Sequence, residues 1–189
     1  MQPADFVGAA PKKGKYVTAT LEALAARLAQ LEAKDEIKEL KARYLRACDV
    51  KDVAALRETL LPKGAVIAYE GFPPFDDREA FVSIFEQMGC QPGVYDIHHA
   101  TNAVIELVGE NEATGKWSLN FQSIILANRS ITQMGVEYED RYVREDGRWY
   151  IAETRTRRIS CLIQTLGDDG RAQYVAVGDP PAVYGNAPA

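Results

Sequence analysis

Histidine is the scarcest titratable residue in this chain, since its 189 residues contain only His98 and His99. Cysteine is almost as rare: Cys48, Cys90 and Cys161 are odd in number, far apart and without a CxxC pair. Such spacing excludes a disulfide framework and a cysteine-ligated zinc site, and it is typical of the reducing cytoplasm. Because free cysteine usually behaves as a small hydrophobic residue, a cysteine nucleophile is the weaker interpretation of these positions.

An excess of positive charge and long apolar runs are missing as well. The chain has 22 Lys and Arg against 27 Asp and Glu, a formal net charge of -5, and no basic patch that could neutralise phosphates. No apolar run approaches the roughly 18 residues of a membrane helix, and the N-terminus has no hydrophobic signal-peptide segment. We therefore expect a cytoplasmic protein that binds neither nucleic acid nor a membrane.

Length and composition predict one folded domain with two appended ends. The chain is 47% hydrophobic and 26% charged, as soluble globular proteins are. Residues 1–17 are rich in Pro, Gly, Ala and Lys and predict a flexible N-terminal arm. Residues 18–163 predict the domain, with an N-terminal helical extension. Residues 164–189 are rich in Gly, Asp and Pro and predict an irregular C-terminal tail.

The first half of the domain has helical periodicity. A narrow stripe of coiled-coil spacing, which must pack on the domain or on a second subunit, is formed by Leu21, Leu24, Leu28 and Leu31. After residues 34–36 the stripe resumes in a new phase, as a second helix or a bent continuation, with Ile37, Leu40, Tyr44 and Cys48. Asp52, and then Asp76 or Asp77, predict the N-terminal caps of two further helices.

The second half changes to strand periodicity. A short strand over 65–69 is followed by four long strands over 97–108, 113–126, 133–144 and 148–163, joined by hairpin turns. Helices first and a meander last predict an α+β fold: a cone-shaped, curled antiparallel sheet with helices covering its concave face. Such a hollow holds a small, mostly apolar ligand. The predicted substrate-binding residues are Trp117, Leu119, Phe121, Met134, Val136 and Tyr138.

Only one of the two histidines can point into this hollow, because neighbouring strand residues face opposite sides of a sheet. The pattern of the strand leaves open which one does. The same geometry prevents both from binding one metal ion, so no metal site is predicted. A single histidine is suited to act as a general base, and a carboxylate that orients its ring makes it a more effective base. Asp49, just past inward-facing Tyr44, is the candidate partner, although a surface role at the helix end is the commoner alternative.

Three groups of residues carry a resemblance to a known family. They are Tyr44…Asp49-Val-Lys-Asp52, Ile97-His-His-Ala-Thr-Asn102…Ile105-Glu106 and Tyr138-Glu-Asp-Arg-Tyr142…Asp146-Gly-Arg-Trp149. Over about residues 33–163 the chain resembles the SnoaL-like branch of the nuclear-transport-factor-2-like superfamily, and within it the dehydrochlorinase and dehydratase lyases. The resemblance implies that His98 faces inward as the catalytic base, that Asp49 supports it, and that Tyr44 polarises a carbonyl or assists the leaving group.

The resemblance also implies a cofactor-independent lyase that forms a homodimer or homotrimer. Trp117, Leu119 and Phe121 are all apolar where some dehydratases of this branch carry a polar inward residue. We therefore expect a small hydrophobic substrate and no dedicated acid on that strand. Three alternatives remain open: an isomerase or cyclase with the same dyad, a non-catalytic module that binds a small ligand, and the small subunit of a ring-hydroxylating dioxygenase.

Overall fold

Within residues 20–178, three helices precede the long strands of the domain. The computed structural model describes residues 20–178; the predicted arm over 1–17 and the end of the predicted tail lie outside them. The helices are α1 (Leu21–Val50), α2 (Val53–Thr59) and α3 (Arg78–Ile84), the last continued by a π-helical turn (Phe85–Gly89). The strands are β1 (Val66–Ala68), β2 (Val94–Leu107), β3 (Glu112–Ile125), β4 (Ser130–Glu145), β5 (Arg148–Leu166) and β6 (Ala172–Gly178).

The strands form one curled sheet with the order β1-β5-β4-β3-β2, and β6 pairs with β5. The four long strands β2 to β5 are antiparallel neighbours joined by short turns, whereas β1 runs parallel to β5. The tight turn between β4 and β5 uses Asp146 and Gly147 at φ 49° and 78°, as a two-residue hairpin loop of this twist requires. The predicted α+β class and the antiparallel meander are confirmed.

The core lies between the helices and one face of the sheet. The core residues of α1 are Ile37, Leu40, Tyr44 and Cys48, which recur every three or four residues and so share one helix face. The core residues of the sheet are alternate ones such as Tyr142 and Ile151, because a strand presents every second side chain to one side. Since α1 packs on β2 and β5, its C-terminal end lies against the strand that carries both histidines.

Of the two predicted alternatives, the continuation is correct and no second helix begins after residues 34–36, because α1 runs from Leu21 to Val50. The change of phase at residues 34–36 instead rotates the leucine stripe away from the domain. Its four side chains are 50–86% exposed, at Leu21, Leu24, Leu28 and Leu31. The stripe therefore does not pack on its own domain, and the predicted homodimer or homotrimer stays a prediction.

We expect Leu24→Ser/Leu28→Ser to lower the molar mass in solution, because the change removes apolar side chains that two copies would bury together. Size-exclusion chromatography with light scattering measures the mass. Ala26→Ser/Ala29→Ser, on the other side of α1, is the control for lost helix propensity and should leave the mass unchanged. A leucine variant with the mass of the wild type, or a monomeric wild type, would contradict the prediction.

The C-terminal segment corrects the expectation of an irregular tail from residue 164. Strand β5 continues to Leu166, the chain turns at Gly170 with φ 77°, and Ala172–Gly178 return antiparallel as β6. Tyr174, Val175 and Val177 have the high strand propensity that this pairing requires. The glycine and aspartate residues of the preceding turn obscured that pattern in the sequence.

Candidate active site

An apolar cavity of about 240 Å³ lies where α1, α3 and strands β2 to β4 meet. Aromatic rings supply most of its wall: Tyr44, Tyr69, Phe72, Phe75, Phe81, Phe85, Phe121 and Tyr138. Ring pairs such as Tyr69 with Phe81 and with Tyr138 pack edge to face, with centroids 5.6 and 6.2 Å apart. The wall of this cavity is therefore mostly apolar.

His98 lines the cavity because of an irregularity in β2. Before the irregularity, even-numbered residues such as His98 and Ala100 are half-buried and His99 is exposed. Asn102 then adopts φ 54°, the pairing with β3 shifts between Thr101 and Val104, and odd-numbered Ile105 becomes the buried residue. Asparagine tolerates this left-handed conformation better than most residues. A regular strand with Ile105 inward would have placed His99 in the cavity.

Asp49 reaches His98 from the last turn of α1, because this helix packs on β2. The chain leaves the helix at Lys51, which adopts φ 62° and donates its backbone N–H to the Ala47 carbonyl. Asp52 then caps α2 by accepting a hydrogen bond of 2.9 Å from the Ala55 N–H. Asp49 Oδ1 lies 2.7 Å from His98 Nδ1, and the two side chains are 27% and 15% exposed. This contact occupies Nδ1 and leaves Nε2 as the other ring nitrogen.

Two tyrosine hydroxyls meet in the same cavity, since Tyr44 and Tyr69 hydrogen-bond to each other. Burial raises the pKa of Tyr44 and of Tyr69 well above that of free tyrosine. Both phenols therefore stay protonated at working pH and can donate hydrogen bonds. The sequence predicted Tyr44 but not Tyr69, because Tyr69 follows a three-residue strand and carries no spacing that links it to α1.

Burial also acts on Cys48, which lines the cavity next to these tyrosines. Removal from water raises the pKa of the Cys48 thiol to about 12, and the nearby Asp49 carboxylate adds to the effect. A thiol with this pKa has almost no thiolate at neutral pH, and the thiolate is the nucleophilic form of cysteine. Cys48 thus contributes a small apolar surface to the cavity.

The six predicted substrate-binding residues separate into two groups. Phe121 and Tyr138 line the cavity, and the Phe121 ring centroid lies 4.8 Å from that of His98. The other four do not line it and instead pack in the core or against it: Trp117, Leu119, Met134 and Val136.

Trp117 lies on a second cavity of about 440 Å³, between α1 and β2, which also contacts Asp49, His98 and His99. The Asp49–His98 pair therefore lies between two cavities, with the aromatic one on one side and this more polar one on the other. Among residues 20–178, no group of three His, Cys, Asp or Glu side chains is arranged to hold a metal ion. In the same range, no helix combines the length and apolar character needed to cross a bilayer.

A buried ion pair packs against Tyr138 in the wall of the aromatic cavity. Lys41 Nζ lies 2.8 Å from Asp140 Oδ2, and both side chains are 0% exposed. The same carboxylate oxygen accepts a hydrogen bond of 2.6 Å from the Tyr142 hydroxyl, which itself accepts one from Trp117. Lys41 Nζ also lies 3.5 Å from the centre of the Tyr138 ring. The sequence did not predict this pair, because a lysine on an amphipathic helix normally points to solvent.

Solved structures of other proteins have the same arrangement of helices and sheet. A hexachlorocyclohexane dehydrochlorinase (LinA type 3) from Novosphingobium barchaimii LL02 matches with a TM-score of 0.63 and 18% identity, covering 82% of this chain and 99% of that one. A candidate scytalone dehydratase from Novosphingobium aromaticivorans DSM 12444 matches at 0.65 and 19%, covering 80% and 95%.

A third protein from Novosphingobium aromaticivorans, described as NTF2-like with a cystatin-like fold, matches at a TM-score of 0.62 and 22% identity, covering 74% of this chain and 90% of that one. At these identities the similarity establishes the fold, which is nuclear-transport-factor-2-like. The model of the SnoaL-like domain family matches residues 29–155, well over half of the chain. The chain therefore belongs to the family of SnoaL-like domain proteins.

Proposed function

We propose that this protein is a cofactor-independent lyase that removes water or hydrogen halide from a small hydrophobic substrate. The observation that carries the proposal is the 2.7 Å contact between Asp49 Oδ1 and His98 Nδ1 at the wall of an aromatic cavity. A histidine oriented by a carboxylate and facing an apolar cavity is the arrangement that general-base chemistry needs.

The first step is the removal of a proton from a carbon of the bound substrate. Asp49 accepts the hydrogen bond of Nδ1–H, so the lone pair of the neutral ring lies on Nε2, which takes the proton. The Asp49 carboxylate then stabilises the imidazolium that forms. The electron pair of the broken C–H bond forms the double bond, and the leaving group departs from the neighbouring carbon with the electrons of its own bond.

Hydrogen-bond donors must stabilise the negative charge that develops in this step. Tyr44 and Tyr69 supply one such donor, because burial keeps both phenols protonated and, of the two hydroxyl groups that bond to each other, one keeps its O–H free for the substrate. Such a donor stabilises an enolate oxygen or a departing hydroxide or halide, and it is stronger in an apolar cavity than in water. A departing hydroxide leaves as water once it has received a proton, which protonated His98 carries.

The size of the cavity limits the substrate. About 240 Å³ is below the range of about 300–1,000 Å³ that holds drug-sized ligands, so a compound with one or two rings fits better than a steroid. The many aromatic side chains of the wall favour a flat or cyclic molecule. The relatives named as a dehydrochlorinase and a candidate scytalone dehydratase support the same reaction class.

The proposal is tested with one- and two-ring compounds that carry a hydroxyl group or a chloride next to an acidic C–H. Ultraviolet absorbance follows the new conjugated double bond. A parallel assay in D₂O uses 1-tetralone, which lacks a leaving group, and follows deuterium incorporation beside the carbonyl by NMR. His98→Gln serves as the blank in both assays, because it removes the base while keeping a polar side chain of similar length.

The two assays also separate the proposal from its alternatives. An isomerase or cyclase with the same dyad would give deuterium exchange that depends on His98, without loss of water or halide from any compound. A non-catalytic binding module would give neither. A wild-type protein that matches the His98→Gln blank with every compound would overturn the lyase proposal.

A further inference from the structure

Asp96 is the only carboxylate that lines the aromatic cavity among the residues the structure describes. Its side chain is 12% exposed. It faces the same side of β2 as the side chain of His98, which lies two residues later in the strand. The surrounding wall consists mostly of aromatic rings. An acidic group in such a wall is costly unless something compensates its charge.

Lys51 supplies that compensation, because its ammonium pairs with Asp96 Oδ2. Lys51 directly follows α1, so its ion pair with β2 lies beside the contact between Asp49 and His98. The other carboxylate oxygen, Oδ1, accepts no hydrogen bond from any residue between 20 and 178. Lys51 therefore fixes the orientation of the carboxylate and leaves Oδ1 for a group that enters the cavity.

The spacing along β2 defines where that group must lie on a ligand. Residues two apart on one face of a strand are separated by about 6.5–7 Å, which is close to the width of a substituted six-membered ring. A ligand whose acidic carbon meets His98 would therefore bring the opposite side of its ring to Asp96. A carboxylate only accepts hydrogen bonds, so the complementary group on the ligand is a donor.

We propose that Asp96 determines substrate specificity by accepting a hydrogen bond from a hydroxyl group on the ring of the substrate, about one ring width from the carbon that His98 deprotonates. The substrate class is thus a hydroxylated cyclic compound of one or two rings, and a fully halogenated ring is a poor ligand. The assignment to a substrate rests on the proposed function, whereas recognition of the hydroxyl group can be measured without turnover.

Equilibrium dialysis with 2-naphthol and 2-methylnaphthalene tests this recognition, because the two probes have nearly the same shape and only the first donates a hydrogen bond. We expect the wild type to bind 2-naphthol about 10- to 100-fold more tightly, as a hydrogen bond to a charged acceptor allows. Asp96→Ala should remove this preference while keeping the affinity for 2-methylnaphthalene. Asp96→Asn, which retains an uncharged acceptor, should keep part of the preference for 2-naphthol.

Three results would overturn the proposal: equal binding of both probes by the wild type, no binding of either, or an equal loss of affinity for both in Asp96→Ala. The last of these would mean that Asp96 only supports the structure of the wall. A preference for 2-naphthol that depends on Asp96, in a protein without elimination or exchange activity, would reject the lyase proposal and leave the recognition of hydroxyl groups intact.

Discussion

Replacing His98 by glutamine is expected to lower kcat about 10²- to 10⁴-fold for any compound that the wild type converts, the usual contribution of a positioned general base. Glutamine cannot take up a proton at neutral pH, although its amide can still hydrogen-bond to Asp49. The packing against Phe121 changes little, so we expect the KM to stay within a few-fold of the wild-type value. Initial rates over a range of substrate concentrations separate the two parameters.

The neighbouring histidine is the matched control for this experiment. His99 faces the opposite side of β2 and is exposed, so His99→Gln should leave both kcat and KM unchanged. Asp49→Asn should give a smaller loss than His98→Gln, because its amide oxygen can still accept from Nδ1–H but cannot stabilise an imidazolium by charge. A loss of activity in His99→Gln together with normal activity in His98→Gln would show that the wrong histidine is assigned.

The largest loss of stability is expected from breaking the ion pair between Lys41 and Asp140. Asp140→Asn keeps an oxygen for the Tyr142 hydroxyl but leaves the buried Lys41 ammonium without a counter-charge. Removing one partner of a fully buried pair costs about 3–5 kcal/mol in the free energy of unfolding. Urea denaturation monitored by circular dichroism measures this loss. The exposed pair of Lys116 and Glu139 is the control, and Lys116→Met should change the stability little.

The double variant Lys41→Met/Asp140→Asn should be more stable than Asp140→Asn alone. Burial lowers the pKa of Lys41 in spite of the opposing effect of Asp140, so the loss of hydration is the dominant influence on this ammonium. Methionine fills a similar volume without that penalty and keeps contact with the Tyr138 ring. The single variant Lys41→Met completes the comparison. If its loss of stability and that of Asp140→Asn simply add in the double variant, the two side chains are not coupled as proposed.

The fold follows largely from local patterns in the sequence. The switch from helical to strand periodicity near Tyr95 and the turns between the long strands predict the order of the elements, and the structure confirms it. Local patterns were less informative where the structure of a segment depends on pairing with another strand. Strand β6 pairs with the end of β5, and the edge that β5 offers is a property of the folded sheet that no local pattern indicates.

The candidate site was only partly predictable. Tyr44, Asp49, His98, Phe121 and Tyr138 were named from the sequence, and the structure brings all five to the aromatic cavity or to its border. Their catalytic and substrate-binding roles remain predictions. Tyr69 and Asp96 were missed. Tyr69 follows a short strand and Asp96 lies near the start of β2, and no sequence spacing indicates that either residue lies close to α1.

By itself, the sequence determined that this is an α+β domain and that only one of two adjacent histidines can face its interior, because strand alternation is a local property of the backbone. The tertiary structure decided which histidine that is. The left-handed conformation at Asn102 accompanies an irregularity that reverses the alternation, and Asp49 meets His98 from the last turn of α1. The meeting of Asp49 and His98 depends on α1 packing on β2, and that packing joins residues that are far apart in the chain.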